Sequence, residues 1–485
     1  MTARPKSRAR AALLGSFLAL GGCVEVGPDF KRPDAHVGAE WRAQPDQGPA
    51  APGPADLERW WLKLNDPQLT QLIELALHNS PTLQQAGQKI LQADAQLAFL
   101  VGELFPQQQY LSGGVQKVEQ STHSPTYLPG SPRDFKQSQV GLTIAWELDF
   151  WGLYRRNIES GRASLAENQA GYQEAAVLLA AQVASAYVSV RTYEAQLQVE
   201  RENLTVQREA TRIAQTRWDY GEASELDARQ AISQLKQTES QLPTLQASLE
   251  EARDALAVLV ALTPVEVDAR LAAGGPIPQV DARIAVGIPR DVLRQRPDVR
   301  EAELAAAAQS AQIGVAKAAL FPSFSLGGTF GYATSNVGHS SLSDLFQWDS
   351  HTLQVGPSFT FPIFNYGRLE AQVHVQDALF RQAVLNYQNV VLQAQQDVED
   401  ARASLAGSVQ SVAALTASVA AARRATELSL TQYKEGETNY TTVLTAQQTE
   451  LSVENALVSA RAAVPQAAIA LYRALGGGWQ EAPPP

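Results

Sequence analysis

The chain has 485 residues, a formal net charge of −11, one cysteine and six histidines. An acidic balance of that size argues against nucleic acid as a partner, because phosphate binding needs basic surface. A single thiol excludes an internal disulfide, and there is no GxSxG, P-loop, HExxH, CxxC or metal-ligand histidine spacing, so no enzyme activity, metal or cofactor is expected.

Arg4, Lys6, Arg8 and Arg10 precede the apolar run Ala11 to Leu20. This is the order of a secretory signal, and the run is well short of the roughly 20 residues of a membrane-spanning helix. It ends in Leu20-Gly21-Gly22-Cys23, which resembles the lipobox of bacterial lipoproteins. The resemblance implies that residues 1–22 are removed and that Cys23 is acylated as the first mature residue. Val24, not Asp, follows it, which in that sorting pattern favours the outer membrane. Removing the four cations would take the net charge to −15. Residues 23–60 read as a lipid-anchored tether with prolines at 28, 33, 45, 49, 52 and 54, and Trp41, Trp60 and Trp61 read as its packing anchors. No later run reaches 18 uncharged apolar residues, so no transmembrane helix is expected.

The main organising fact is an internal correspondence. Asn79-Ser80-Pro81 matches Gln295-Arg296-Pro297 and Phe105-Pro106 matches Phe321-Pro322, both shifted by 216; Phe150-Trp151-Gly152 matches Asn365-Tyr366-Gly367 and Gly221 matches Gly436, shifted by 215. A fixed offset over this span marks two copies of one unit. We place the first copy at 61–262, a Pro/Gly-rich linker at 263–289, the second copy at 290–478 and a tail at 479–485. Each copy is expected to run helix, strand, loop, strand, very long helix, tight turn, helix.

In the first copy the expected helices are Pro67–Leu104, Gly152–Arg217 and Ser224–Leu262. The middle one, at about 1.5 Å per residue, would be roughly 100 Å long. Its seam is a heptad of Ala176, Val183, Val190, Leu197 and Leu204, matched in the second copy by Val391, Val398, Leu405, Val412 and Val419, with small residues such as Ala186, Ala394 and Ala401 suited to close packing. Pro243 should disturb the returning helix locally.

Period-two alternation marks the strands. Val140, Leu142, Ile144, Trp146, Leu148 and Phe150 alternate with polar or small residues; so do Phe324, Leu326, Phe330 and Tyr332, and Leu353, Val355, Phe359, Phe361 and Ile363. Aromatic-ended segments of this kind fit a lipid-facing barrel wall, with Thr143, Glu147 and Thr360 on the lumen side. The strand after Pro106 alternates poorly and is inferred from the correspondence. Four strands cannot close a membrane barrel, and open edges cannot sit in lipid, so the barrel must be shared between subunits.

Gly221 and Gly436 sit where the long helices reverse, as C-cap glycines with positive φ. Acids gather there: Asp219, Glu222, Glu225 and Asp227, then Glu435 and Glu437.

These residues resemble a known family. The stretches VGPDFKRPD after Cys23, WWLKLNDPQLTQLIELALHNSPTL, IPRDVLRQRPDVREAELAAAAQSAQIGVAKAALFPSFSLGG, YKEGETNYTTVLTAQQTEL and LYRALGGGW are similar to the TolC-like outer membrane factors, in the lipoprotein branch that serves resistance-nodulation-division (RND) pumps. The resemblance implies a mainly α chain with a transmembrane β-barrel, in which a homotrimer shares twelve strands above a coiled-coil α-barrel in the periplasm. It implies an exit duct, not an enzyme, passing drugs or other small toxic compounds, with an inner-membrane RND transporter and a periplasmic adaptor (membrane fusion protein) as partners. It places the equatorial collar around the linker and the chain's terminal segments. It places the closed periplasmic tip at the two turns, where Asp227, Glu437, Tyr440, Thr442 and Thr445 become gate candidates. Relatives often carry aspartates just after the second turn; here Thr442 and Thr445 stand instead, so closure is expected to use bulk and hydrogen bonding. The alternatives are the same duct carrying heavy metals or exported protein, and a lipid-anchored coiled-coil rod, which would have no use for paired strands.

Overall fold

The computed structural model describes residues 25–35, 37–38, 41–42, 57–125, 127–280, 284 and 293–479. Cys23, the signal segment and most of the tether prolines lie outside them. The chain runs α1 (Pro67–Asn79), α2 (Pro81–Gly102), β1 (Gln108–Glu119), β2 (Asp134–Leu148), α3 (Leu153–Asp219), α4 (Glu225–Val260), α5 (Pro264–Leu271), α6 (Pro297–Ala318), β3 (Ser323–Ser335), β4 (His351–Thr360), α7 (Arg368–Glu435) and α8 (Tyr440–Ala474). Two compact units emerge. One comprises the described residues up to Pro33 with Leu91–Glu167 and Ala302–Asn386; the other comprises the described parts of Asp34–Ile90, Asn168–Glu301 and Tyr387–Pro485.

The first unit holds the sheet. Its order is β1-β2-β3-β4, every neighbour antiparallel. The register unites the apolar alternations: Leu142 faces Phe330, which faces Leu353, and Trp146 faces Leu326, which faces Pro357. One face is therefore apolar across three strands, because side chains two residues apart share a face. Gly331 lies opposite Gly141, where a Cβ would stand 2.7 Å from the Gly141 Cα. The backbones meet there more closely than any side chain allows. Phe361 and Ile363, expected on the last strand, follow its end at Thr360; only Phe359 of that aromatic set pairs across the sheet, with Phe324.

The second unit holds the helical core. The α3 seam is buried at Ala176, Val183, Val190, Leu197 and Leu204, and the α7 seam at Val391, Val398, Leu405 and Val419; Val412 is half-buried. Pro67 opens α1, with the Asp66 carboxylate accepting from the N–H groups of Gln68 (2.9 Å) and Leu69 (3.0 Å), so a helix start is capped in the usual way. The single helix expected over 67–104 breaks at Ser80, because Pro81 cannot donate an N–H and starts a new helix. Pro243, in contrast, rides an unbroken α4 at an exposed position. Trp60 and Trp61 are buried, Trp60 stacked 5.3 Å from Tyr472. Each of α3 and α7 also contains an 18-residue window apolar and long enough to span a membrane, which a count of uncharged runs does not reveal. In α3 61% of that window is buried in the core, which accounts for its hydropathy; in α7 only 17% is.

Candidate functional site: the hairpin tips

Both helix reversals close by the same hydrogen bonds. In the first, Gly221 N–H donates to Trp218 O (2.9 Å) and Glu222 N–H to Arg217 O (2.8 Å). In the second, Gly436 N–H donates to Tyr433 O (3.1 Å) and Glu437 N–H to Gln432 O (2.9 Å). This is the Schellman closure, and the glycines take φ of +75° and +81° to make it. Open space surrounds a Cβ at Gly221, so the dihedral alone demands glycine there. The next helices are capped alike: the Ser224 side chain accepts from Asp227 N–H and Asn439 from Thr442 N–H.

The five gate candidates separate into two environments. Glu437, Thr442 and Thr445 are exposed. Thr442 and Thr445 border an open groove with Ala422, Ala425, Ala446 and Thr449, and their hydroxyls are engaged locally, Thr442 with Asn439 (3.2 Å) and Thr445 with the Thr441 carbonyl (2.9 Å). Tyr440 is instead 1% exposed, its ring edge-on to Tyr433 at 5.4 Å within a core of Ala210, Ala214, Ala231 and Val443. Of the five gate candidates, Tyr440 is thus the one packed inside the hairpin pair rather than exposed at the turn. Tyr440, Val443 and Gln447 form one buried stripe at helical spacing, so the aromatic ring falls inside the hairpin pair. Asp227 is half-buried, and burial first, then its negative charge, push the Tyr433 phenol above its usual range.

Arg217 ties the two turns together. Its guanidinium donates to the Tyr433 carbonyl, lies 5.0 Å from the centre of the Tyr433 ring, and approaches the Glu222 carboxylate at 3.8 Å. It therefore engages the last turn of α7 while belonging to α3, combining a charge-assisted hydrogen bond with a cation–π contact. Sequence reasoning passed over it because a basic residue in a last helical turn is ordinary dipole complementation. Trp218, Tyr220 and Leu226 were also missed; they are exposed at the first turn, Tyr220 by 79%.

The sequence profile of the family described as "Outer membrane efflux protein" matches residues 72–262 and again 288–477. The chain belongs to the outer membrane efflux protein family. Among its relatives is the pyoverdine export outer membrane protein OpmQ of Pseudomonas aeruginosa, 31% identical over 88% of this chain and 88% of OpmQ. The cation efflux system protein CusC of Escherichia coli is 29% identical over 96% of this chain and 97% of CusC. The solved outer-membrane channel OprN superposes with a TM-score of 0.84 at 30% identity, covering 94% of this chain and 100% of that one. As an outer membrane efflux protein, this chain is a channel component of an export system.

Proposed function

We propose that this efflux protein is the exit duct of a tripartite RND-type system, acting as a homotrimer that shares a twelve-stranded outer-membrane barrel above a periplasmic helical tunnel. The sheet carries the reading. It has four strands, one continuous apolar face, and two unpaired edges at β1 and β4. Such edges are untenable in hydrocarbon unless neighbouring chains pair with them. Three copies give twelve strands. The offset between the two halves, with α3 and α7 beginning at Leu153 and Arg368, would give the trimer pseudo-sixfold symmetry at the tips. Cys23 would carry the lipid anchor.

In this assembly the hairpin tips meet the periplasmic adaptor, with Trp218, Tyr220 and Leu226 supplying apolar contact beside the acids. Glu437, Thr442 and Thr445 remain candidates to line the narrow end, with Asp227 and Tyr440 bracing it from inside the hairpin pair. No covalent step occurs; the work is steric and electrostatic, an acidic rim favouring cations. Cargo is supplied by the inner-membrane partner, and drugs or other small toxic compounds are the proposed class. Relatives of nearly equal similarity are named for pyoverdine and for cations, which fits a duct that leaves selection to its pump.

Planar-bilayer recording of the purified trimer tests the duct. Ion conductance is expected, cation-selective and raised when Thr442 and Thr445 are replaced by Gly. A protein that inserts without conducting, or runs only as a monomer in mild detergent, overturns the reading.

A further inference from the structure

The apolar face of the sheet is not flat. Ile144, Gly328 and Val355 lie in one cross-strand row, and the missing side chain at Gly328 leaves a hollow of about 270 Å³ walled by Leu142, Trp146, Leu326 and Phe330. A Cβ at Gly328 would stand 3.1 Å from the Val355 side chain, so any larger residue would fill it. The hollow carries no charge. It runs along β2 from Trp146 to Leu142, about 13 Å at the usual strand rise, and its helix-side end is fixed by the Trp146 indole N–H donating to Leu104 O (3.1 Å).

The N-terminal segment is pinned beside that same end. Val26 N–H donates to Trp151 O (3.1 Å), and a Cβ on Gly152 would come within 3.2 Å of the Glu25 Cα. Arg156 holds the segment through the Val26 carbonyl (3.2 Å), Asp29 (2.9 Å) and Glu25 (3.3 Å). Two residues of chain span at most about 7 Å, so a lipid carried two residues before Glu25 would begin no farther than that from it. Aromatic rings connect the two places. Trp151 stacks on Phe321 at 4.6 Å and Phe150 packs on Phe324 at 5.1 Å, and Phe324 lies two residues before Leu326 on the groove face of β3.

We infer that the groove over Gly328 is the seat of an acyl chain carried by Cys23 of the same protomer. This rests on the reading that Cys23 is lipidated. Membrane lipid is as apolar as the groove walls, so burial from water gives no preference for one chain over another. What favours the tethered chain is its high effective concentration, together with the dispersion attraction that the groove walls recover when the void is filled. The lipid then acts as a packing element of the sheet as well as an anchor.

The test uses cells fed a palmitate analogue bearing a diazirine. The assembled protein is irradiated in its membrane and the cross-linked peptides are mapped by mass spectrometry. The expected product joins the Cys23 lipopeptide to the segments holding Leu142–Trp146 and Leu326–Phe330. Gly328→Leu, checked for trimer formation, should reduce that product at least several-fold while labelling of Cys23 persists. A labelled Cys23 whose cross-links scatter over the lipid face or go to phospholipid overturns the seat alone. So does a groove that cross-links only to phospholipid. An unlabelled N-terminus removes both the seat and the lipidation reading, and Cys23→Ser supplies that reference pattern.

Discussion

Arg296, the first residue of the RPDVREAE stretch, is 7% exposed, and its guanidinium faces several acceptors at once. It pairs with Asp298 (2.7 Å) and Asp397 (3.1 Å) and donates to the carbonyl of Ala474 (3.0 Å), closing the end of α8. Replacing it by Ala leaves that carbonyl and two carboxylates without their cation. A loss on the order of 2 kcal/mol is expected, below the roughly 3–5 of a fully enclosed pair, because Asp397 remains 38% exposed. Arg296→Lys should recover little, since a point charge cannot bridge these acceptors as a planar fork does. Thermal melts of both variants check this. Close by, Glu174 has its carboxyl raised from 4.5 to about 7, by burial first and then by the charge of Asp298. A carboxyl raised in the folded state binds its proton there but not in the unfolded chain, so stability falls as pH rises between about 4.5 and 7. Glu174→Gln should therefore raise the melting temperature at pH 8 and leave it nearly unchanged at pH 4; equal shifts at both would refute the assignment.

At the scale of elements, the sheet faces give a sharp contrast. Ile144 is 42% exposed on the apolar face and Thr143 is its neighbour on the other. Arg at Ile144 should cost roughly 2–4 kcal/mol near mid-bilayer, whereas Arg at Thr143 should be mild. Urea unfolding from liposomes distinguishes them, and equal costs would mean the faces are reversed. Much of this layer was legible in sequence. Heptads and alternation are periodic signals, so α3, α7 and three strands stood out, and β1 followed from the offset between halves although its own residues alternate poorly. The gate was less legible. Periodicity says which residues share a face, but Tyr440 falls on a buried stripe only because α3 and α4 pack across from it, as the shared core with Ala210 and Ala231 shows. Arg217 was illegible for a related reason: its partner, Tyr433, lies 216 residues away, and no local pattern announces such a contact.

For the whole molecule, the open strands β1 and β4 are the decisive surfaces. Nearly all of β1 is exposed in the single chain. Consecutive N–H groups on an edge strand point alternately toward and away from its neighbour, so one of Val115→Pro and Gln116→Pro removes a donor that faces outward. That variant should lose the proposed trimer in native mass spectrometry while keeping near wild-type helical circular dichroism, because most of the helical residues belong to the other unit. A trimer surviving both substitutions would show that β1 is not a subunit joint.

The Arg217 contact has a mechanical corollary for such a ring. The residue 215 positions on from Arg217 is Gln432, and the one 215 before Tyr433 is Trp218. A seam between chains would thus set glutamine against tryptophan where the seam within a chain sets arginine against tyrosine. Six hairpins in a circle would be joined by alternating stiff and compliant links, three of each. Under load such a ring deforms at its compliant links first, so its softest mode is threefold, each chain's two hairpins moving as one rigid leaf hinged against its neighbours.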